Sequence, residues 1–221
     1  MTTLQETLER AKQAAADAQA APAALPVAQP AYAPPAGYQA PKMPSLRESV
    51  NSSGLVVDAY LSVDKEGMRV GKTMPLFDEV TVFIDFSQVQ PTLNARGEIG
   101  GQVAYVRSSD GIRTDKGKDF RTELASLQQR SNPDKYIEYP GFEIPMTLID
   151  DLLNKDKSVA FKAGTTVGFT PAERNSKVFQ AFFRNTPADL ETRGPVKVRL
   201  THEKRQGAQA YGVALFELVA D

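Results

Sequence analysis

A mainly β chain, an antiparallel barrel or sandwich behind an extended arm, is the fold class this sequence predicts. Three observations carry it. Short runs of alternating apolar and polar residues recur from Ser49 onward; helical periodicity is confined to short interruptions; and the first 48 residues differ in composition from everything that follows. The chain of 221 residues, with 41% hydrophobic residues, can bury one core. The boundary divides residues 1–48, a helix and an Ala/Pro-rich disordered linker, from residues 49–221, the β domain.

The arm opens on Thr3-Leu4-Gln5-Glu6, with capping-box spacing, and Glu6 and Arg10 stand at i,i+4. Leu4, Leu8, Ala11 and Ala15 form a thin apolar stripe with little to bury. The following stretch, APAALPVAQPAYAPPAGYQAPKMP, carries seven prolines and is expected to be an extended spacer. Tyr32 and Tyr38 are docking residues for a protein partner or, as composition favours, incidental to the spacer.

Period-two patterning then predicts strands at Leu55–Val63, Val80–Phe86, Gly101–Val106, Val159–Lys162, Thr165–Phe169 and Val178–Phe183, followed by a hairpin over Pro195–Leu218. Helices are expected between Lys118 and Arg130, where Phe120, Leu124 and Leu127 share a face, and over Leu148–Asn154 with Thr147 as cap. The long excursion from Ser108 to Pro140 is expected to be a functional loop.

Composition excludes several chemistries. No cysteine is present, so thiolate nucleophiles, thiolate metal sites and disulfides are ruled out. The one histidine, His202, precedes Glu203, Lys204 and Arg205 at an expected hairpin tip, where a solvated ring is the default. Gly97, Gly100 and Gly101 do not open a helix, so no nucleotide-binding glycine loop is read there. No apolar run reaches spanning length and no secretory pattern leads the chain. A soluble, cytoplasmic protein without cofactor or membrane partner is the expectation.

Positive charge is local. The net charge is -1, yet between Phe161 and Gly207 nine Lys/Arg stand against four Asp/Glu. Three clusters result. Tyr105, Arg107, Arg113, Lys116, Lys118, Phe120 and Arg121 form the first, with a flexible tip expected at Lys116-Gly117-Lys118. Arg174, Lys177 and Arg184 form the second; Lys197, Arg199, Lys204 and Arg205 form the third. Alternation along VFQAFFR would put Phe179, Ala181 and Phe183 on one face and leave Phe182 beside Gln180 and Arg184. Bases stack on such a ring while cations take phosphates. Tyr211 is a second candidate platform. Aromatics on both faces also fit a strand covered on both sides, with the cations merely solvated.

Short strands, basic hairpins, interleaved aromatics and an Ala/Pro tail together resemble an OB-fold single-stranded DNA-binding protein of the bacteriophage kind, over roughly Ser49 to Val219. That resemblance implies an OB-like barrel and a DNA groove at Arg107, Arg113, Lys116, Lys118, Arg121, Phe182, Arg184, Lys197, Arg199, Lys204, Arg205 and Tyr211. It also implies a non-catalytic role in replication or recombination, with single-stranded DNA as partner and homo-oligomerisation open. The sequence reads FELVAD directly after the last expected strand, where many such proteins carry an acidic tail, so partner recruitment by that route is not expected. Two alternatives stand beside it: a virion or scaffold protein assembling through the arm, and a nuclease. The latter rests on Phe83-Ile84-Asp85-Phe86-Ser87, which resembles the first strand of ribonuclease-H-like enzymes but needs further converging carboxylates.

Overall fold

A computed structural model describes residues 57–72, 74–207 and 209–220. The expectations for residues 1–48, and the start of the strand at Leu55, lie outside the described residues. The strands are β1 (Ala59–Asp64), β2 (Gly67–Val70), β3 (Glu79–Asp85), β4 (Gln90–Ile99), β5 (Gln102–Ser108), β6 (Ile137–Leu148), β7 (Leu152–Leu153), β8 (Val159–Phe161), β9 (Thr166–Phe169), β10 (Pro195–Arg205) and β11 (Tyr211–Leu218). The helices are α1 (Phe120–Arg130) and α2 (Glu173–Arg184). The domain is mainly β.

Nine strands form one sheet in the order β11-β10-β3-β6-β9-β1-β2, with β4 added to β6 and β5 to β4; β7 and β8 pair separately. Only β1 and β9 run parallel among these ladders. The shared strand is β6: Ile137 to Glu143 pair with β4, whereas Ile144 to Thr147 pair with β9 and Met146 to Leu148 with β3. The sheet curls enough for β2 to meet the segment before β3 through a single bridge, Met68↔Phe77. No closed barrel is formed among the described residues.

The core lies inside that curl. Val82, Ile84, Ile144, Met146, Leu148, Val167, Val198, Leu200 and Ala214 are each at most 2% exposed. At roughly 1.5–3 kcal/mol for each large aliphatic side chain buried, this cluster is the main source of stability. A second aromatic layer closes it: Phe86, Phe179, Phe182, Phe183 and Phe216 lie in mutual ring contact.

Two expectations are overturned. Val178–Phe183 belongs to α2 and is not a strand. Val178, Phe179, Phe182 and Phe183 follow i, i+1, i+4, i+5 spacing and turn one stripe toward Phe86 and Phe216. Glu173 and Lys177 pair at 2.7 Å one turn apart, and Arg184 closes the last turn. Leu148–Asn154 is not a helix either; it is the end of β6, a turn and β7. The helix expected between Lys118 and Arg130 is α1, capped by Asp119, whose side chain accepts from the Thr122 amide at 2.8 Å. The β4–β5 turn needs its two glycines: Gly100 and Gly101 both have positive φ, 57° and 80°, as a two-residue hairpin of this hand requires.

Helix α2 is fastened to β11, the strand at one end of the sheet order. Buried Asn175 donates from Nδ2 to the Gly212 carbonyl at 3.4 Å and accepts from the Ala214 amide at 2.8 Å. One side chain thus does for the strand edge what another strand would do. Asn175→Ala would leave both buried backbone groups without this partner. We expect it to lower unfolding stability by about 1–3 kcal/mol in urea titration, whereas Lys177→Ala, on the exposed face, should change it by less than about 0.5 kcal/mol.

Candidate nucleic-acid interface

The hairpin that looked most basic is largely neutralised. Arg199 stands opposite Glu217 in register and binds it at 2.7 Å, which raises the guanidinium pKa further. Arg205 pairs with Glu203 at 2.7 Å, and Lys204 with Glu66 at 3.4 Å. Neither Lys204 nor Arg205 is at the tip, because β10 continues through Arg205. His202 also departs from expectation. Its side chain is only 8% exposed, with Nε2 2.9 Å from the Asp64 carbonyl oxygen, where it joins the hairpin to the β1–β2 turn.

Phe182 and Arg184 do not share a strand face. Phe182 packs its ring against Phe86, Phe179 and Phe216, at centroid distances of 6.1, 6.3 and 5.5 Å, so the ring is used in packing. Arg184, in the last turn of α2, has no ion pair among the described residues. Tyr211 has the Arg174 guanidinium 3.8 Å from its ring centroid, which occupies one face. Phe182, Tyr211 and Arg205 do meet, along a groove of about 940 Å³ between α2 and β11. Val178, Val213, Leu215 and Phe216 give that groove an apolar lining; of its three cations Lys177 and Arg205 are paired with acids, and Arg174 lies over the Tyr211 ring.

A different surface collects open aromatics and cations. On the β4–β5–β6 ladder, Asn94, Arg107 and Tyr139 stand opposite one another in register, as do Arg96, Tyr105 and Ile137. Paired residues point to the same side of a sheet, so these six share one face. The other face is covered by α1, which comes so close that a side chain at Gly97 would overlap Ser131 Oγ. The open face holds a groove of about 580 Å³ lined by Asn94, Tyr105, Arg107, Lys116, Tyr139 and Thr170, among others. Tyr105 is 56% exposed.

The loop after β5 borders this groove. Its backbone is ordered by hydrogen bonds: the Asp110 carboxylate accepts from the amides of Ile112 and Arg113, which holds its pKa below the usual carboxylate range. Thr114 accepts from the amides of Lys116 and Lys118, so the expected flexible tip is a bonded turn. The Asp115 amide donates to the Arg107 carbonyl at 3.2 Å, setting Lys116 beside β5. Lys118 is engaged by Glu123 at 3.0 Å. Arg113, Lys116 and Arg121 carry no ion pair among the described residues.

Arg107 has a second commitment. Its guanidinium lies 3.8 Å from Glu143, which is 2% exposed, and 3.5 Å from Asp115. Asp85 is occupied as well, accepting from the Ser87 amide, Ser87 Oγ and Gln88 Nε2 as the cap of a 3-10 turn. Among the described residues no group of three or more His, Asp or Glu is placed to hold a metal ion. No helix there is long and apolar enough to cross a membrane.

Sequence reasoning found Tyr105, Arg107 and Lys116, and missed Asn94, Arg96 and Tyr139. The alternation Thr92, Asn94, Arg96, Glu98 against Leu93, Ala95, Gly97, Ile99 was the available signal for β4. Pro140 and Pro145 obscured β6.

Two outcomes follow from this electrostatics. Arg107→Ala should cost up to about 3 kcal/mol of stability, at the low end for a broken buried pair, with most of the loss recovered in Arg107→Ala/Glu143→Gln. Tyr139 has its pKa pushed up to about 12, by burial first and then by Tyr105 and Glu173. The stability tied to its neutral phenol is complete below the unfolded value of about 10 and lost as pH rises through the folded one. The urea midpoint should therefore fall across that alkaline window, less steeply in Tyr139→Phe. Comparison with protein-family models, curated proteins and solved structures finds no match to this chain, and the groove's own chemistry carries the functional reading.

Proposed function

We propose that this chain is a non-catalytic, sequence-tolerant single-stranded DNA-binding protein, using the open face of β4–β5–β6, with single-stranded intermediates of replication or recombination as its substrates. The observation that carries the reading is the setting of Tyr105. Its exposed ring stands beside unpaired Lys116 on the bordering loop and opposite Arg96 in register; Arg96, 4.0 Å from Glu173, and Arg107, two residues along β5 and shared with Glu143 and Asp115, are partly offset cations at the same surface. A flat ring supplies stacking that every base accepts, and adjacent cations supply phosphate contacts. The curl of the sheet toward the Met68↔Phe77 bridge supports the finer proposal of an OB-like platform. Lys197 and Arg199 drop out of the central site, Arg199 because Glu217 offsets its charge.

A protein-assembly role is the second reading, favoured by the apolar α2–β11 groove. The two readings separate in a salt titration of binding to a labelled single-stranded oligonucleotide, followed by fluorescence anisotropy. Tyr105→Ala should weaken binding by about 1–3 kcal/mol and leave the salt slope unchanged. Lys116→Ala should flatten the slope of log K against log salt by about 0.7. Lys197→Ala/Arg199→Ala should do less than Lys116→Ala together with Arg121→Ala. Absence of binding by the parent protein at low salt would overturn the DNA reading and leave assembly as the function.

A further inference from the structure

The sheet face that carries Tyr105 does not end at β6. Beyond Glu143 that strand pairs with β9, and β9 pairs with β1. Pro145 stands opposite Gly168, and Gly168 opposite Tyr60. These three form one row on the side of β6 that also carries Tyr139 and Glu143. On the opposite side of the same ladders Ile144, Phe169 and Leu61 belong to the core. Alternation thus turns Tyr60 outward, and it is 44% exposed. Gly168 decides how its ring lies. A Cβ at Gly168 would stand 2.8 Å from Tyr60 Cε1 and 3.0 Å from Cδ1, so the ring rests on the β9 backbone. Burial first and then Glu143 raise the Tyr60 pKa, with Arg107 acting the other way, which places the phenol near the groove's ion pair. The Arg107 guanidinium, reaching from β5 toward Glu143 on β6, lies on the path from Tyr105 to Tyr60.

We infer that a bound single strand continues past β6 onto β9 and β1, where a second base stacks on Tyr60. The inference rests on the single-stranded DNA reading above and lengthens its footprint. Three strand spacings separate β5 from β9, roughly 14 Å. That is about four nucleotides at the 3.4 Å spacing of a stacked strand. The rings of Tyr105 and Tyr60 then hold different bases of one oligonucleotide, and the phosphates between them pass Arg107 and Lys116. Stacking makes no demand on base identity, so the longer path keeps the sequence tolerance. Gly168 opens the second platform, because a larger side chain there would take the place of the ring.

Anisotropy titrations of Tyr60→Ala and Tyr60→Phe with a labelled oligo-dT test this, alongside urea titrations of the same variants. Tyr60→Ala should bind about 5- to 150-fold more weakly, the range of one stacked base, with the salt slope unchanged. Tyr60→Phe keeps the flat ring and should bind within about twofold of the parent. Crosslinking the unaltered protein to an oligonucleotide carrying 5-iododeoxyuridine should give an adduct at Tyr60, within the peptide containing β1. Tyr60→Ala that loses stability yet binds as the parent does would overturn the inference, since the ring would then only cover Gly168. Equal losses in the two variants would also overturn it, by assigning the effect to the hydroxyl. So would adducts on β5 or β6 with none on β1. Each of these leaves single-stranded DNA binding intact, whereas absence of binding by the parent protein overturns both.

Discussion

Burying Glu143 is the constraint on which the binding surface depends. This residue is the last of β6 to pair with β4; the next, Ile144, pairs with β9. The carboxylate therefore sits where the strand leaves one ladder and joins the other, at 2% exposure. A charge so placed needs a nearby cation, and Arg107 on β5 supplies it at 3.8 Å. Two consequences follow. The strand carrying Tyr105 is tied to the core through an ion pair as well as through hydrogen bonds. Arg107 is also held at the groove wall by Glu143 and Asp115, so on the proposed reading its guanidinium would meet a phosphate with little new loss of rotamer freedom.

The molecule uses its aromatics in two distinct ways. Phe86, Phe179, Phe182, Phe183 and Phe216 spend their faces on one another, closing the core beneath α2. Tyr105 and Tyr139 have hydroxyls and lie on a sheet whose other side α1 covers. The first group stabilises by removing area from water; the second leaves ring area available to a ligand. Charge divides in parallel. Cations near the hairpin are matched by Glu66, Glu203 and Glu217, whereas Arg113 and Lys116 have no ion pair among the described residues and Arg121 has only the charge of nearby Asp119 without a direct pair.

Much of the fold was legible locally. Val80–Phe86 and the hairpin from Pro195 to Leu218 alternate cleanly, and the structure has β3, β10 and β11 there. The misreadings share a cause. VFQAFFR is dense in residues that favour strands, and its helical spacing is visible only when Pro171, Glu173 and Lys177 are read with it. In β6, Pro145 lies one residue before pairing with β3 begins, so its missing N–H falls at the end of that ladder. The site was legible in part because Tyr105, Arg107 and Lys116 are near in sequence. Asn94 and Tyr139 join them only through cross-strand register, which no local pattern specifies.

The central claim is that DNA lies on the β4–β5–β6 face and not on the hairpin or the α2–β11 groove. Photocrosslinking of a single-stranded oligonucleotide carrying 5-iododeoxyuridine, followed by peptide mass spectrometry, reads that placement residue by residue. The account predicts adducts at Tyr105 or Tyr139, within the peptides containing β5 and β6. Adducts confined to Phe182 or Tyr211 would contradict it and return the site to the groove beside β11.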